Sequence, residues 1–563
     1  MFKELFTSKK ETLLFLTGLL IFTGLNIFSA STMELHFDES YYWLYSQYPA
    51  FGYFDHPPLI AWLIYVGQRI FNGEIGIRII IILLSTSSML LLWQMVKQYS
   101  VNALLFWALI YAVILLHPYS FIATPDAPLF FFSILFFYFY SRYLEKNNLL
   151  NTLLLAITIA LMIYSKYHAF LVVGFVFLSN LKLVKRFSFW MIVFLAFCCL
   201  LPHIIWLFDN NFPPIRFQLL DAHKMTYHFS TTLNYIVSEI AATGPLLGWL
   251  FLYILFSSKP QNVWEKGLKF TGTGVFLFFL VSTIKGKFEA HWTLVAIAPL
   301  ILLSYKYVVK NPKWQKWILI AGLFNFSLLF LTRILYVTPL RDDIALFKNL
   351  RGSRTESQII KKTTGNYPVI FQDAWTDASL FAYYTNDKSI GNMNSALFRR
   401  NQYDLFHRDD SLNGKKVAVL TNDSLQFKNP EKIVTNKTVW YCKKYDHFKS
   451  YYKLSFDLNE TSLTNNQFNA IVTIHNTYND TLKTGNDYNL SSSFKIYSKG
   501  NRIWDMLGEF NTGNLVIPPH GDTLLTAKFT VTPEMLDTRD LYLTFQLGEL
   551  KPIPVKYKID LKK

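Results

Sequence analysis

Apolar residues in this chain run in unbroken blocks rather than in stripes. Blocks at roughly 12–30, 77–96, 101–119, 127–144, 149–165, 168–181, 187–207, 242–257, 268–284, 290–308 and 316–337 mostly approach the length of about 20 residues that crosses a bilayer as a helix. Beyond about residue 338 the period changes. YPVIFQD, DASLFAYYT and KKVAVLTND mix strand-like and helix-like runs. From about 450 short alternating runs follow one another (YKLSFDL, NAIVTIHN, SFKIYS, TLLTAKFTV, LYLTFQL, VKYKIDL), separated by turn residues such as Pro518-Pro519-His520-Gly521-Asp522. The pattern predicts a polytopic α-helical membrane protein of about eleven transmembrane helices over 1–337, an α/β subdomain over 338–448 and an immunoglobulin-like β-sandwich over 449–563.

The polar positions between blocks add sidedness. Lys3, Lys9 and Lys10 precede the first block, and alternate loops carry Lys97; Arg142 and Lys146; Lys182, Lys185 and Arg186; Lys259, Lys266 and Lys269; and Lys306, Lys310, Lys313 and Lys316. Basic loops stay in the cytoplasm, so the N-terminus is expected inside and the C-terminal domains outside. The first block lacks a small-residue cleavage site and reads as an anchor.

Composition narrows the function classes. Of 563 residues 52% are hydrophobic and Phe alone occurs 51 times, which excludes an ordinary soluble enzyme. The formal charge of +16 follows from the basic inner loops, with anionic lipid-phosphate substrates as a second contribution. No basic, aromatic-interleaved module suggests nucleic acid. Cys198, Cys199 and Cys442 form neither a disulfide framework nor a zinc pattern. Asn-x-Ser/Thr triplets at Asn436, Asn459, Asn479 and Asn489 matter only in a glycosylating secretory pathway.

The outer loops then collect the expensive residues: Asp38, Glu39, Asp55 and His56; Asp126 in ATPDAP; Lys166 and His168 in YSKYHA; the segment 209–239; and Lys285, Lys287, Glu289 and His291 in KGKFEAHW. Ionisable groups clustered on one membrane face point to an active site there. Residues 33–67 organise the set. Tyr41, Tyr42, Trp43, Tyr45, Tyr48, Phe51, Tyr53 and Phe54 suit the headgroup zone, so this first outer loop is expected to lie along the bilayer surface.

ELHFDESYYW…GYFDHPPLIAW, TPDAPLFFF, YSKYHA, PHIIWLFDNNFPPIRFQ and GKFEAHW follow in the order of the landmarks of GT-C glycosyltransferases. The chain resembles the group of dolichyl-phosphate-mannose protein mannosyltransferases and lipid A aminoarabinose transferases (glycosyltransferase family 39-like) over roughly residues 10–400, including QDAWTDASLFAYYTN and RRNQYDLF. The resemblance implies a sugar donor carried on polyprenyl phosphate, transfer on the outer membrane face to a glycolipid such as lipid A or to a protein, and a catalytic aspartate in the first loop. Aminoarabinose transferases place an acidic residue followed by Lys where this chain has Asp55-His56, and the β-sandwich tail is not a general family feature. Short outer segments, without the extended loop domains of eukaryotic protein mannosyltransferases, favour a bacterial inner membrane.

Displacing polyprenyl phosphate from a sugar C1 needs an activated nucleophile, a stabilised leaving phosphate and a positioned donor. Asp38, with Glu39 beside it, is the candidate catalytic acid pair. Asp38 either accepts the proton of an acceptor hydroxyl or, for a phosphate acceptor, orients it; alternatively it only caps the helix that follows, and Glu39 is a helix-start residue. Asp55 and Asp126 are candidates to hold a divalent cation on the leaving phosphate, with His223 as a further ligand; against this, Asp126 only terminates a helix and His223 is an ordinary interfacial histidine. His56, Lys166, Arg216, Lys224, Lys285 and Lys287 are the candidate phosphate partners, or snorkelling side chains, and His291 with Trp292 reads as an aromatic-belt pair. The rival functions are a lipid-linked-sugar transporter, which would place its charges near the midplane, and a non-catalytic envelope scaffold.

Overall fold

Each apolar block becomes helical, but the helices are unequal. The computed structural model describes residues 8–217, 227–285, 288–338, 351–387, 389–406, 410–485, 490–499, 504–538 and 540–561. The chain forms two compact units, Met1–Arg351 and Gly352–Lys563. In the first, the helices are α1 (Lys9–Thr32), α2 (Phe37–Ser46), α3 (Leu59–Ile70), α4 (Gly73–Val96), α5 (Ala103–Ala112), α6 (Asp126–Glu145), α7 (Leu149–Ser165), α8 (Ala169–Ser179), α9 (Phe187–Asp209), α10 (Pro213–Arg216), α11 (Phe229–Thr243), α12 (Gly248–Ser257), α13 (Val263–Ser282), α14 (Leu294–Val308) and α15 (Pro312–Val337).

Among the described residues six stretches are long and apolar enough to cross a membrane: α1, α4, α6, α9, Ala290–Val308 leading into α14, and α15. Two bent pairs raise the number to as many as eight. The block expected as one span over 101–119 is broken: α5 ends at Ala112, and the turns of Ile114–Ser120 leave it at 81°. The block at 242–257 starts earlier than expected, in α11, and α12 leaves that helix at 99°. α7 and α8 are shorter apolar helices.

Packing follows membrane rules. α15 lies so close to α5 that a Cβ on Gly322 would meet the Ala108 carbonyl oxygen at 2.4 Å, the kind of approach that small residues permit between helices in lipid. The Thr23 and Thr86 hydroxyls bond at 2.9 Å between α1 and α4. Leu20, Phe194 and Leu323 stay exposed, as a surface against lipid tails allows.

The second unit opens with helix Ser353–Thr364 and a five-stranded mixed sheet. Its strands are β1 (Val369–Gln372), β2 (Gly391–Met393), β3 (Val417–Thr421), β4 (Glu431–Val434) and β5 (Val439–Tyr445), in the order β2-β1-β3-β5-β4. β1 is parallel to β2 and β3, and β5 is antiparallel to β3 and β4. The remaining strands, β6 (Ser455–Thr464), β7 (Gln467–His475), β8 (Leu482–Thr484), β9 (Ser492–Lys499), β10 (Trp504–Asn511), β11 (Leu515–Ile517), β12 (Asp522–Thr530), β13 (Leu541–Leu547) and β14 (Lys556–Ile559), form antiparallel sheets β10-β9-β13-β14, β12-β7-β6 and β11-β8. Phe456, Val472, Phe494, Ala527 and Phe545 share one core, which makes this a β-sandwich. The six alternating runs of the sequence become β6, β7, β9, β12, β13 and β14. β10 was not legible, because its register slips between Met506 and Gly508 and spoils the alternation.

Candidate active site

The site begins with an arginine inside an apolar helix. Arg78 on α4 is 1% exposed. Its Nε donates to Glu39 Oε1 at 2.8 Å and its Nη2 to Glu39 Oε2 at 2.5 Å. Its remaining donors go to the carbonyls of Ala30, Met33 and Glu34. Glu39 also accepts from the backbone N–H of His36 and of Ala123, both at 2.9 Å. Burial by itself would raise the Glu39 carboxyl, but the Arg78 guanidinium and these hydrogen bonds hold it below the ordinary value. Glu39 therefore ties the start of the first loop to α4 and to the link before α6, and its oxygens are fully used inside the protein. The role of Glu39 next to Asp38 is positional.

The same contacts decide the capping question. The cap of α2 is His36, whose Nδ1 accepts from the Asp38 N–H at 3.3 Å, and Glu39 closes the capping box. The Asp38 carboxylate does not cap the helix. It is 35% exposed and stands 3.6 Å from His36 Nδ1.

Further along the loop, Gly52 packs so closely on α9 that a Cβ there would meet the Trp206 ring at 2.2 Å. His203 Nδ1 bonds the Phe51 carbonyl at 2.6 Å on the same helix. Asp55 is 7% exposed, and its Oδ2 accepts the hydroxyls of Tyr41 at 2.8 Å and Tyr45 at 3.4 Å. His56 meets the Tyr42 ring edge-on, with centroids 5.6 Å apart. Tyr42 is the hub: burial first, then the charges of Asp38, Asp55 and Asp126, push its phenol well above the usual range, so it stays a neutral donor among three carboxylates.

Asp126 and Lys166 supply the other wall. Lys166 Nζ donates at 2.8 Å to both oxygens of Asp126, with both side chains buried. Two of the three ammonium donors are so used, leaving one among the described residues. His291 Nε2 stands 4.0 Å from Asp126 Oδ2, and its ring is 5.7 Å from that of Tyr119. His291 thus belongs to the charged cluster rather than to an aromatic belt. His168 packs on Phe279 and Trp292, and its buried Nδ1 has no hydrogen-bond partner among the described residues. Burial and then the Lys166 charge lower its imidazole well below the ordinary value, so it is neutral and able to bond a hydroxyl.

The structure therefore gathers Asp38, Asp55, His56, Asp126 and Lys166, and adds Tyr42, Tyr119, His168 and His291. It does not bring in Arg216, which ends α10 exposed to solvent, although the adjacent Phe217 ring lies 5.8 Å from Phe54. Lys285 closes the turn after α13, and Lys287, His223 and Lys224 lie outside the described residues. Sequence reasoning missed Arg78. The signal was present, since a charge within GEIGIRIIIILL demands a buried partner.

A divalent cation fits this arrangement poorly. Both Asp126 oxygens already hold an ammonium, and Asp55 is engaged by two tyrosine hydroxyls. Among the described residues no three His, Cys, Asp or Glu side chains gather into a metal-binding group.

Comparison with known proteins agrees with this picture. Residues 55–206 match the family model for dolichyl-phosphate-mannose-protein mannosyltransferase. The chain is 22% identical over 315 residues to the lipid A galacturonosyltransferase RgtD of Rhizobium johnstonii, covering 53% of this chain and 67% of that protein. The crystal structure of ArnT from Cupriavidus metallidurans in the apo state superposes with a TM-score of 0.56 at 11% identity, over 76% of this chain and 97% of ArnT. The same protein bound to undecaprenyl phosphate gives 0.53 at 12% identity, with the same coverage. In fold this chain is a polytopic membrane protein of the GT-C type, and in sequence it is similar to the dolichyl-phosphate-mannose-protein mannosyltransferases and to a lipid A galacturonosyltransferase.

Proposed function

We propose that the protein moves one sugar from a polyprenyl-phosphate donor to a glycolipid acceptor of the lipid A kind, or to a protein, on the outer face of a bacterial inner membrane. The observation that carries this reading is the pairing of a partly exposed carboxylate, Asp38, with the buried Lys166 ammonium and the half-buried His291 across the neutral phenol of Tyr42. The acceptor oxygen attacks the sugar C1, the bond from C1 to the phosphate oxygen breaks, and polyprenyl phosphate departs. The acceptor proton passes to Asp38. The remaining Lys166 donor and His291 meet the leaving phosphate, while Tyr42 and His168 offer neutral hydrogen bonds to sugar hydroxyls. Likeness to a protein solved with undecaprenyl phosphate supports the donor class, and likeness to a lipid A galacturonosyltransferase supports the acceptor class. The charges sit at the ends of α6 and α7 rather than midway along them, which favours transfer chemistry over transport.

In this reading Lys166 takes the place first assigned to a metal. Purified protein given a polyprenyl-phosphoryl sugar and envelope lipid should release polyprenyl phosphate and yield a glycosylated lipid by mass spectrometry. The rate should survive thorough chelation. No product with any envelope acceptor would reject the transfer, whereas product lost on chelation and restored by a divalent ion would return Asp55 and Asp126 to metal binding.

Sidedness has its own test. The basic alternate loops support an outer position for Gly352–Lys563. A reporter active only after export, fused after Lys563, should give signal, and a fusion active only inside would move the site to the other face.

A further inference from the structure

The end of the membrane unit away from Asp126 holds an open cavity of about 1210 Å³ that the transfer chemistry does not use. α6 ties the two places together. It starts at Asp126 in the active site and, at the far end of its 20 residues, carries Arg142 and Glu145 on the cavity wall. At 1.5 Å per residue that helix spans about 30 Å, the thickness of the hydrocarbon layer, so the cavity opens in the opposite headgroup zone.

Its lining is unbalanced in charge. Lys97, Arg142, Lys182 and Arg186 face it together with one carboxylate, Glu145, and Glu145 is already 3.2 Å from Arg142. Arg186 is held by stacking on the Tyr143 ring at 5.6 Å, yet its buried Nη1 has no hydrogen-bond partner among the described residues. Lys182 sits exposed on the turn between α8 and α9, with no ion pair among the described residues. The buried Oε1 of Gln94 likewise lacks a donor among the described residues. Met95, Leu144, Leu183 and Trp264 supply apolar wall beside these groups. An oriented guanidinium, a nearby ammonium and an amide oxygen awaiting a donor match a phosphate ester that carries a hydroxyl, and the apolar wall suits the chains attached to it.

We propose that this cavity binds the phosphate headgroup of an anionic membrane phospholipid, on the bilayer face opposite the transfer site. The site is separate from the donor phosphate position at Lys166 by the length of α6. It would hold the ends of α4, α6 and α8 and the starts of α9 and α13 together through one ligand.

The test is lipid retention by the purified full chain, read by native mass spectrometry during titration with phosphatidylglycerol, phosphatidylcholine or the soluble ester sn-glycerol 3-phosphate. The wild type should retain phosphatidylglycerol in preference to phosphatidylcholine. Arg186→Gln with Lys182→Gln should weaken that retention about twenty-five-fold, since each basic residue near an anionic headgroup contributes roughly fivefold. Arg186→Lys should keep most of it, and Lys182→Gln alone, at an exposed position, guards against a misfolded double variant. Unchanged preference in a double variant with normal thermal unfolding would overturn the site and assign the lipid to the bundle's perimeter. Displacement of phosphatidylglycerol by equal concentrations of sn-glycerol 3-phosphate would overturn the lipid source in favour of a free phosphate ester. Neither readout depends on sugar transfer.

Discussion

Asp38→Asn should lower transfer to a hydroxyl acceptor by roughly 10²–10⁴-fold, the usual cost of losing a general base, while thermal unfolding stays close to that of the parent. The two halves of this expectation come from one geometric contrast. The Asp38 carboxylate is 35% exposed at the start of α2, whereas its neighbour Glu39 is fully buried and spends its oxygens on four donors. An amide at position 38 keeps the volume and leaves the His36 capping contact to the backbone, so the loop keeps its anchor. What disappears is the charge that accepts the acceptor proton. The measurement is product formation with a lipid whose acceptor group is a hydroxyl, because an already ionised phosphate acceptor would need no base and would blunt the effect. Near-parental turnover on the hydroxyl acceptor would sink the assignment of Asp38 as base and leave it an orienting group.

That contrast also shows what the sequence could and could not carry. The acids and bases of the outer loops stood out because charge beside hydrocarbon is costly, and Asp38, Asp55, His56, Asp126 and Lys166 do converge. Their partners were less legible. Two carboxylates opposite a phosphate invited a metal, but the Lys166 ammonium on Asp126 comes from a loop 40 positions away, and no local pattern announces such a pair. His291 sits in an aromatic stretch and looked interfacial until Ala290–Val308 placed it beside Asp126. The kink after Ala112 was hidden in a continuous apolar block, since periodicity cannot tell one span from two half-helices. The sandwich strands were readable where one face alternates, as on β7, and unreadable where a bulge interrupts it, as on β10.

Glu39→Gln should be the opposite kind of lesion: a loss of fold first and of transfer as a consequence. Four donors converge on the Glu39 carboxylate: two from Arg78, one from His36 and one from Ala123. A glutamine offers one oxygen and turns an amine toward donors that need an acceptor, leaving the 1%-exposed guanidinium of Arg78 without its counter-charge. Breaking a buried ion pair from one side costs about 3–5 kcal/mol, enough to unfold a marginally stable unit. Arg78→Met should be comparably damaging, because it strands Glu39 together with the carbonyls of Ala30, Met33 and Glu34. The double change Glu39→Gln with Arg78→Met should cost less than the sum of the two, since neither charge is then left alone. The pair also sets an acid limit. The folded Glu39 carboxyl lies below its ordinary 4.5, so its contribution is complete above that pH and is lost as pH falls through the lower folded value. Thermal unfolding of detergent-purified variants, read beside transfer, decides the matter. If Glu39→Gln melts with the parent yet fails to transfer, Glu39 acts on substrate and the anchoring role is wrong.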